Sequence, residues 1–230
     1  MENKKCLTCV DCGVKNCATG KHKYPSFCLS EALSQEDKEN AKLYYLNNDE
    51  DLKIAKASAE IECDFYRKVC RVEETIRWAK KLGAKKIGIA TCVGLIGESK
   101  ILAELFRKYG FEVYGVGCKI GEVAKVDIGV NERCNATGKN ICNPILQAEL
   151  LNRENTDINI VMGLCVGHDS LFYKYSKAIT TTLVVKDRVL AHNTVAALNN
   201  IGGLYNGLND LKFDEDEDQN KSEYTEQNNK

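Results

Sequence analysis

From residue 85 onward the chain alternates short apolar runs with stretches whose apolar residues recur at helical spacing. "KKIGIATCV" (85–93), "FEVYGVGCKI" (111–120), "DINIVMGLCVG" (157–167) and "AITTTLVVKDR" (178–188) are rich in Ile, Val and Thr and are bounded by turn-forming or charged residues, so each reads as a strand. Between them, "ESKILAELFRKYG" has the apolar period of a helix closed by Gly110, and "NPILQAELLNR" offers Asn143 as cap with Pro144 at the first helical position. "DSLFYKYSK" makes a further short helix, for which Asp169 or Ser170 is the expected N-cap. Strand, helix and strand at these lengths suit parallel crossovers. The alternation predicts an α/β fold, a three-layer Rossmann-like and mostly parallel sheet.

Upstream the pattern is helical only. Val72, Ile76, Ala79 and Leu82 form one face of a helix that Gly83 should stop. Ser34 followed by Asp37 is a capping-box pattern ahead of "KENAKLYYL", and Asp49 or Asp51 is the expected cap of a longer helix after it. The first 33 residues are turn-rich, poor in aliphatic side chains and unable to build an apolar core of their own. The expected organisation is a Cys-rich metal-binding segment (1–33), a helical lead-in with the α/β domain (34–212), and an acidic, disordered tail (213–230).

Charge removes some function classes. With a formal net charge of −1 and 28% charged residues over 230, no overall basic field gathers nucleic acid or an anionic membrane surface. The opening "MENKKCLTCVDCG" has no apolar stretch of signal-peptide length and no run is long enough to span a bilayer, so a cytoplasmic location is expected. Twelve cysteines in such a chain point to metal binding or thiol chemistry rather than disulfides.

Five of those cysteines, Cys6, Cys9, Cys12, Cys17 and Cys28, crowd the N-terminus with the spacing Cys-x-x-Cys-x-x-Cys-x4-Cys. The bacterial ferredoxin run has three residues in its last gap and a following proline, both lacking here, so zinc fits as well as an iron-sulfur cluster. A second group lies at predicted strand ends: Cys92 in "ATCVG", Cys118 in "VGCKI" and Cys165 in "GLCVG". Open parallel sheets bind ligands beyond the carboxyl ends of their strands, so three thiols there favour a site over three small buried residues. Gly94 follows Cys92 at a probable helix start and is expected, with Cys92 and Cys118, to face a cofactor. His168 and Asp169 share a loop with Cys165 and supply candidate catalytic groups beside it, with Cys165 as nucleophile and His168 as acid or base. Cys134 and Cys142 flank a connection able to fold over the same crevice, which makes Cys142 a further candidate ligand. Cys63 and Cys70, seven residues apart, read as core packing, and His192 as a loop histidine.

The N-terminal cysteines, "RVEETIRWAKKLGAKKIGIATCVGL", "CNPILQAELLN", "TDINIVMGLCVGHDSLFYKYS" and "TTLVVKDRVLAHN" together resemble an uncharacterised family of cysteine-rich proteins from anaerobic bacteria and archaea, a domain of unknown function. The resemblance implies metal binding and no established reaction, with Cys6, Cys9, Cys12, Cys17 and Cys28 in the places of the family's N-terminal cysteines and "GLCVGHDS" intact at 163–170.

The expected function is therefore a metalloprotein holding an iron-sulfur cluster or Zn, redox-related, with a redox partner protein and a small-molecule ligand of unknown identity. The alternatives are a thiol-dependent enzyme with structural zinc and a binding module without turnover.

Overall fold

The computed structural model describes residues 6–21 and 23–212. The acidic stretch 213–230, read as a disordered tail, lies outside the described residues. The chain divides into two units, Met1–Tyr66 and Arg67–Lys230, so part of the helical lead-in falls within the N-terminal unit.

That unit contains helices α1 (Leu29–Ala32), α2 (Gln35–Leu46) and α3 (Asp49–Phe65). Ser34 and Asp37 form the expected reciprocal capping box, with Asp37 N–H donating to Ser34 Oγ at 3.0 Å. The cap of α3 is Asn48 rather than Asp49 or Asp51: its Oδ1 accepts from Glu50 N–H at 3.0 Å and Asp51 N–H at 3.2 Å. Both aspartates sit one step inside, in the first turn, where their charge complements the helix dipole.

The second unit carries α4 (Arg71–Lys81), β1 (Lys86–Thr91), α5 (Ile96–Lys108), β2 (Glu112–Gly117), α6 (Pro144–Arg153), β3 (Ile158–Met162), α7 (His168–Tyr175), β4 (Ile179–Val184) and α8 (Val195–Asn199). All four strands pair in parallel, in the order β2-β1-β3-β4. Ile87 and Ile89 of β1, with Ile158, Ile160 and Met162, pack on Ile76 and Ala79 of α4 and Leu102, Ala103 and Phe106 of α5. On the opposite face Ala90, Val116 and Val161 pack on Ala148 and Leu151 of α6 and Phe172 of α7. The result is the three-layer Rossmann-like arrangement that the alternation predicts. Asn143 caps α6, its Oδ1 accepting from Leu146 N–H at 3.0 Å, with Pro144 at the first helical position.

This strand order positions the site. From β1 the chain crosses to β2 on one side and returns to β3 on the other, so the crossovers diverge beyond the ends of β1 and β3 and leave a crevice there. Gln147 of α6, fully buried, reaches the rim of that crevice: its Nε2 donates to Thr91 O at 3.1 Å and Val116 O at 2.7 Å, the carbonyls that end β1 and nearly end β2. The two strand ends that carry Cys92 and Cys118 are thereby tied together.

Candidate metal centre

Each of the first three strands delivers a cysteine to the same end of the sheet. Cys92 follows β1 directly, is buried, and opens the tight turn Val93–Leu95; its Sγ accepts from Gly94 N–H at 3.4 Å. Cys118 follows β2, is buried, and its Sγ accepts from Val93 N–H at 3.4 Å. The turn after β1 therefore aims successive backbone donors at the two sulfurs.

Cys165 lies two residues past Gly163, whose φ of +67° turns the chain out of β3. The peptide N–H groups of His168 and Asp169 both donate back to Cys165 O, at 2.9 and 3.1 Å, which folds the loop so that His168 opens α7 beside the thiol. Gly167, with φ +81°, occupies the cap position of α7, and no side chain caps this helix. The expected capping role of Asp169 or Ser170 is thus not found: both lie inside the first turn, where Asp169 Oδ1 accepts from Ser170 N–H at 2.8 Å.

Cys142 arrives from the excursion after β2. Asn143 N–H donates to Cys118 O at 2.7 Å, which lays Cys142 alongside Cys118. The Cys118 thiol hydrogen-bonds to Cys142 and lowers its pKa to about 5, helped by the ammonium of Lys119. The same bond, with burial, pushes the Cys118 thiol up. The shared hydrogen bond thus favours the proton on Cys118 and the charge on Cys142. Lys119 Nζ is fixed beside it by donating to Asn140 O at 2.6 Å.

The sulfurs of Cys142 and Cys165 and a ring nitrogen of His168 all lie within 4.8 Å of one another. Around a tetrahedral ion with metal–sulfur bonds of about 2.3 Å, ligand atoms sit roughly 3.8 Å apart, so small rotations bring these three onto one ion. Nδ1 of His168 is buried without a hydrogen-bond partner, a costly state for a polar atom in the ring that approaches the two sulfurs. Two soft thiolates and an imidazole are the donor set of zinc and its chemical neighbours. On geometry, orphaned nitrogen and donor chemistry, the three residues fit a metal ion. Arg188 borders the group and donates from its guanidinium to Cys165 Sγ at 3.0 Å. That hydrogen bond is the main cause that raises the pKa of Arg188 above its ordinary value.

The remaining sequence candidates divide clearly. Cys92 and Cys118 line the crevice without joining the three-ligand group. Cys134 stays apart, its carbonyl accepting from Lys125 Nζ. Among the described residues no three of Cys6, Cys9, Cys12, Cys17 and Cys28 bring their sulfurs within 4.8 Å of one another; Cys6, Cys9 and Cys17 are exposed, and the half-buried Cys12 donates to Val14 O at 3.0 Å. Cys63 and Cys70, expected in a core, are both exposed, Cys63 near the end of α3 and Cys70 at the cap of α4. His192 is a loop residue whose Nδ1 accepts from Asp187 N–H at 3.1 Å. Sequence reasoning missed Lys119, Lys186 and Arg188. The signal was available in "VVKDRV", since a cationic run just past a strand falls at the same sheet end as the thiols, but β4 stops at Val184, short of the strand expected to reach Arg188.

Among the described residues no helix is long and apolar enough to cross a membrane. An uncharacterized protein of Methanocaldococcus jannaschii, MJ0455, is 47% identical over 193 residues, covering 84% of this chain and 93% of that protein. The profile of the DUF1847 family, described as a protein of unknown function, matches residues 28–183, a span that includes Cys92, Cys118, Cys142, Cys165 and His168 and begins after Cys17. The chain belongs to the DUF1847 family of proteins of unknown function.

Proposed function

We propose that this protein binds a single soft divalent ion of the zinc class at the carboxyl end of its sheet, through Cys142, Cys165 and His168, with the fourth coordination position left to a ligand. The observation that carries this reading is the mutual approach of those three donor atoms within 4.8 Å, with the His168 ring nitrogen buried and unpartnered. A mononuclear ion suits that spacing better than a four-iron cubane cluster, in which each thiolate ends on a different iron and the sulfurs stand farther apart. Neither Cys92 nor Cys118 belongs to the compact group, and three protein donors with one open position is the pattern of zinc sites that act on a ligand, whereas structural sites close all four. Lys119 and Arg188 offset the charge of the two thiolates.

A second reading is favoured by the Arg188 hydrogen bond to Cys165 at 3.0 Å: Cys165 as a thiolate nucleophile with His168 as its acid or base. One experiment separates the readings. The full-length protein is purified anaerobically and assayed for metals and acid-labile sulfide, then stripped and titrated with zinc. Zinc is expected at one equivalent, with affinity falling by at least about 100-fold in Cys165→Ser and His168→Ala and unchanged in Cys63→Ser. Equal zinc affinity in all variants contradicts the metal reading. Iron with sulfide replaces the single ion by a cluster.

A further inference from the structure

The crevice has a second property that metal ligation does not exhaust: positive charge on one wall that no carboxylate among the described residues meets. Beyond β4 the chain carries Lys186 and Arg188 back across the strand ends. Gly94 and Gly163, which line the turn after β1 and the turn after β3, locate the lysine. A Cβ built on Gly94 would lie 3.9 Å from Lys186 Nζ and 3.8 Å from Cys92 Sγ, so ammonium and sulfur flank one point. A Cβ built on Gly163 would lie 3.5 Å from Lys186 Cε, so the lysine stem runs over the turn that leads to Cys165. Lys186 is half-buried, and no carboxylate among the described residues pairs with it or with Arg188. The two acidic residues nearest in sequence are engaged with backbone: Asp187 Oδ1 accepts from Val189 N–H at 3.0 Å and Leu190 N–H at 2.8 Å, and Asp169 Oδ1 accepts from Ser170 N–H. Arg188 spends one guanidinium nitrogen on Cys165 Sγ, which leaves the rest of its planar fork for oxygen acceptors.

We infer that Lys186 and Arg188 form a recognition wall for a small oxyanion, a carboxylate or phosphate group, bound in the crevice next to Cys165. The inference rests on the metal centre proposed above, because Arg188 touches the sulfur of Cys165, one of its three protein ligands. It extends that reading by naming the ligand class: a small acid whose charge is met by these two side chains while another of its atoms faces the ion. The structural signature is local. Lys119, the third cation of the crevice, is already held by Asn140 O and serves the Cys142 thiolate, so it belongs to the metal site rather than to the wall.

Cobalt(II) serves as a coloured stand-in for zinc in the test. The stripped full-length protein is loaded anaerobically with one equivalent of cobalt, and thiolate-to-cobalt absorption reports the metal site by itself. Thiocyanate is then titrated at fixed ionic strength, followed by competition with acetate and with inorganic phosphate. The expected result is a saturable change in the cobalt spectrum that acetate or phosphate reverses, the effective competitor naming the carboxylate or phosphate source. Lys186→Met should keep the starting cobalt spectrum and weaken thiocyanate at least about tenfold, and Lys186→Arg should restore most of the affinity. Normal thiolate-to-cobalt bands with the same thiocyanate affinity in Lys186→Met, or competition by neither oxyanion, would overturn the anion wall and leave the metal centre standing. Absence of thiolate-to-cobalt bands in the wild type would overturn the metal centre and the wall with it.

Discussion

Two glycines in one loop, Gly163 and Gly167, have left-handed backbones of similar strain, with φ of +67° and +81°, but different surroundings. A Cβ on Gly163 would meet Leu95 Cδ1 at 2.2 Å, and Leu95 is buried in the turn between Cys92 and α5. A Cβ on Gly167 would meet nothing within 4 Å. Replacing either by Ala costs about 1–2 kcal/mol for the left-handed conformation. Gly163→Ala adds roughly 1–3 kcal/mol for displacing a packed side chain. For a unit of this size the difference corresponds to Gly163→Ala melting about 2–12 °C below Gly167→Ala. Urea unfolding followed by fluorescence of Trp78, the single tryptophan, reads the stability of the sheet unit. Gly163→Ala should also weaken zinc binding, because the forced movement lies two residues from Cys165. Equal unfolding free energies for the two variants would refute the claim that the chain beyond β3 is wedged against Leu95.

Two further outcomes are expected. Gly88→Ala should be severely destabilised, by about 3 kcal/mol or more, because its Cβ would fall 2.0 Å from Asn159 Oδ1, and that fully buried amide is held by Thr156 Oγ1 at 2.8 Å and Ser176 Oγ at 2.9 Å; thermal melting checks it. In the metal-free protein, Cys142 should react with iodoacetamide with a midpoint near pH 5, against an ordinary value of 9.0. A depressed folded value means that this thiolate contributes stability above its unfolded pKa, and that the contribution is lost as pH falls from about 9 to about 5. The Cys118 thiol has the opposite sign, contributing below 9.0 and losing that contribution as pH rises above it. Cys118→Ala removes the donor to Cys142 and should raise the Cys142 midpoint by about 1–2 pH units, read by peptide mass spectrometry.

Much of the fold is written in local patterns. The four strands, the Ser34 capping box and the Asn143-Pro144 helix start depend on residues within a turn or two of one another, and their physics is complete in the sequence. The strand-end position of Cys92, Cys118 and Cys165 was legible for the same reason. Other features depend on distant choices. Three closely spaced oxygen acceptors, Asn48, Asp49 and Asp51, compete for one helix start, and the extended backbone of Asn48 decides it. Cys134 and Cys142 are equivalent by composition, and the bonds from Asn143 N–H to Cys118 O and from Ile141 N–H to Val123 O bring Cys142 into the crevice. Lys186 and Arg188 read as strand residues because the apolar run before them has no internal stop. The regular N-terminal Cys spacing sets separation along the chain, and the short helices Cys9–Asp11 and Asn16–Ala18 form within it.

X-ray absorption at the zinc edge tests directly which atoms hold the proposed metal. In the full-length chain bearing Cys9→Ser and Cys12→Ser, loaded with one equivalent of zinc, the account predicts two sulfur neighbours at about 2.3 Å, one imidazole nitrogen at about 2.0–2.1 Å, and a light-atom neighbour in the remaining position. Four sulfur neighbours, which Cys92, Cys118, Cys142 and Cys165 would provide, or a first shell without sulfur, would contradict it.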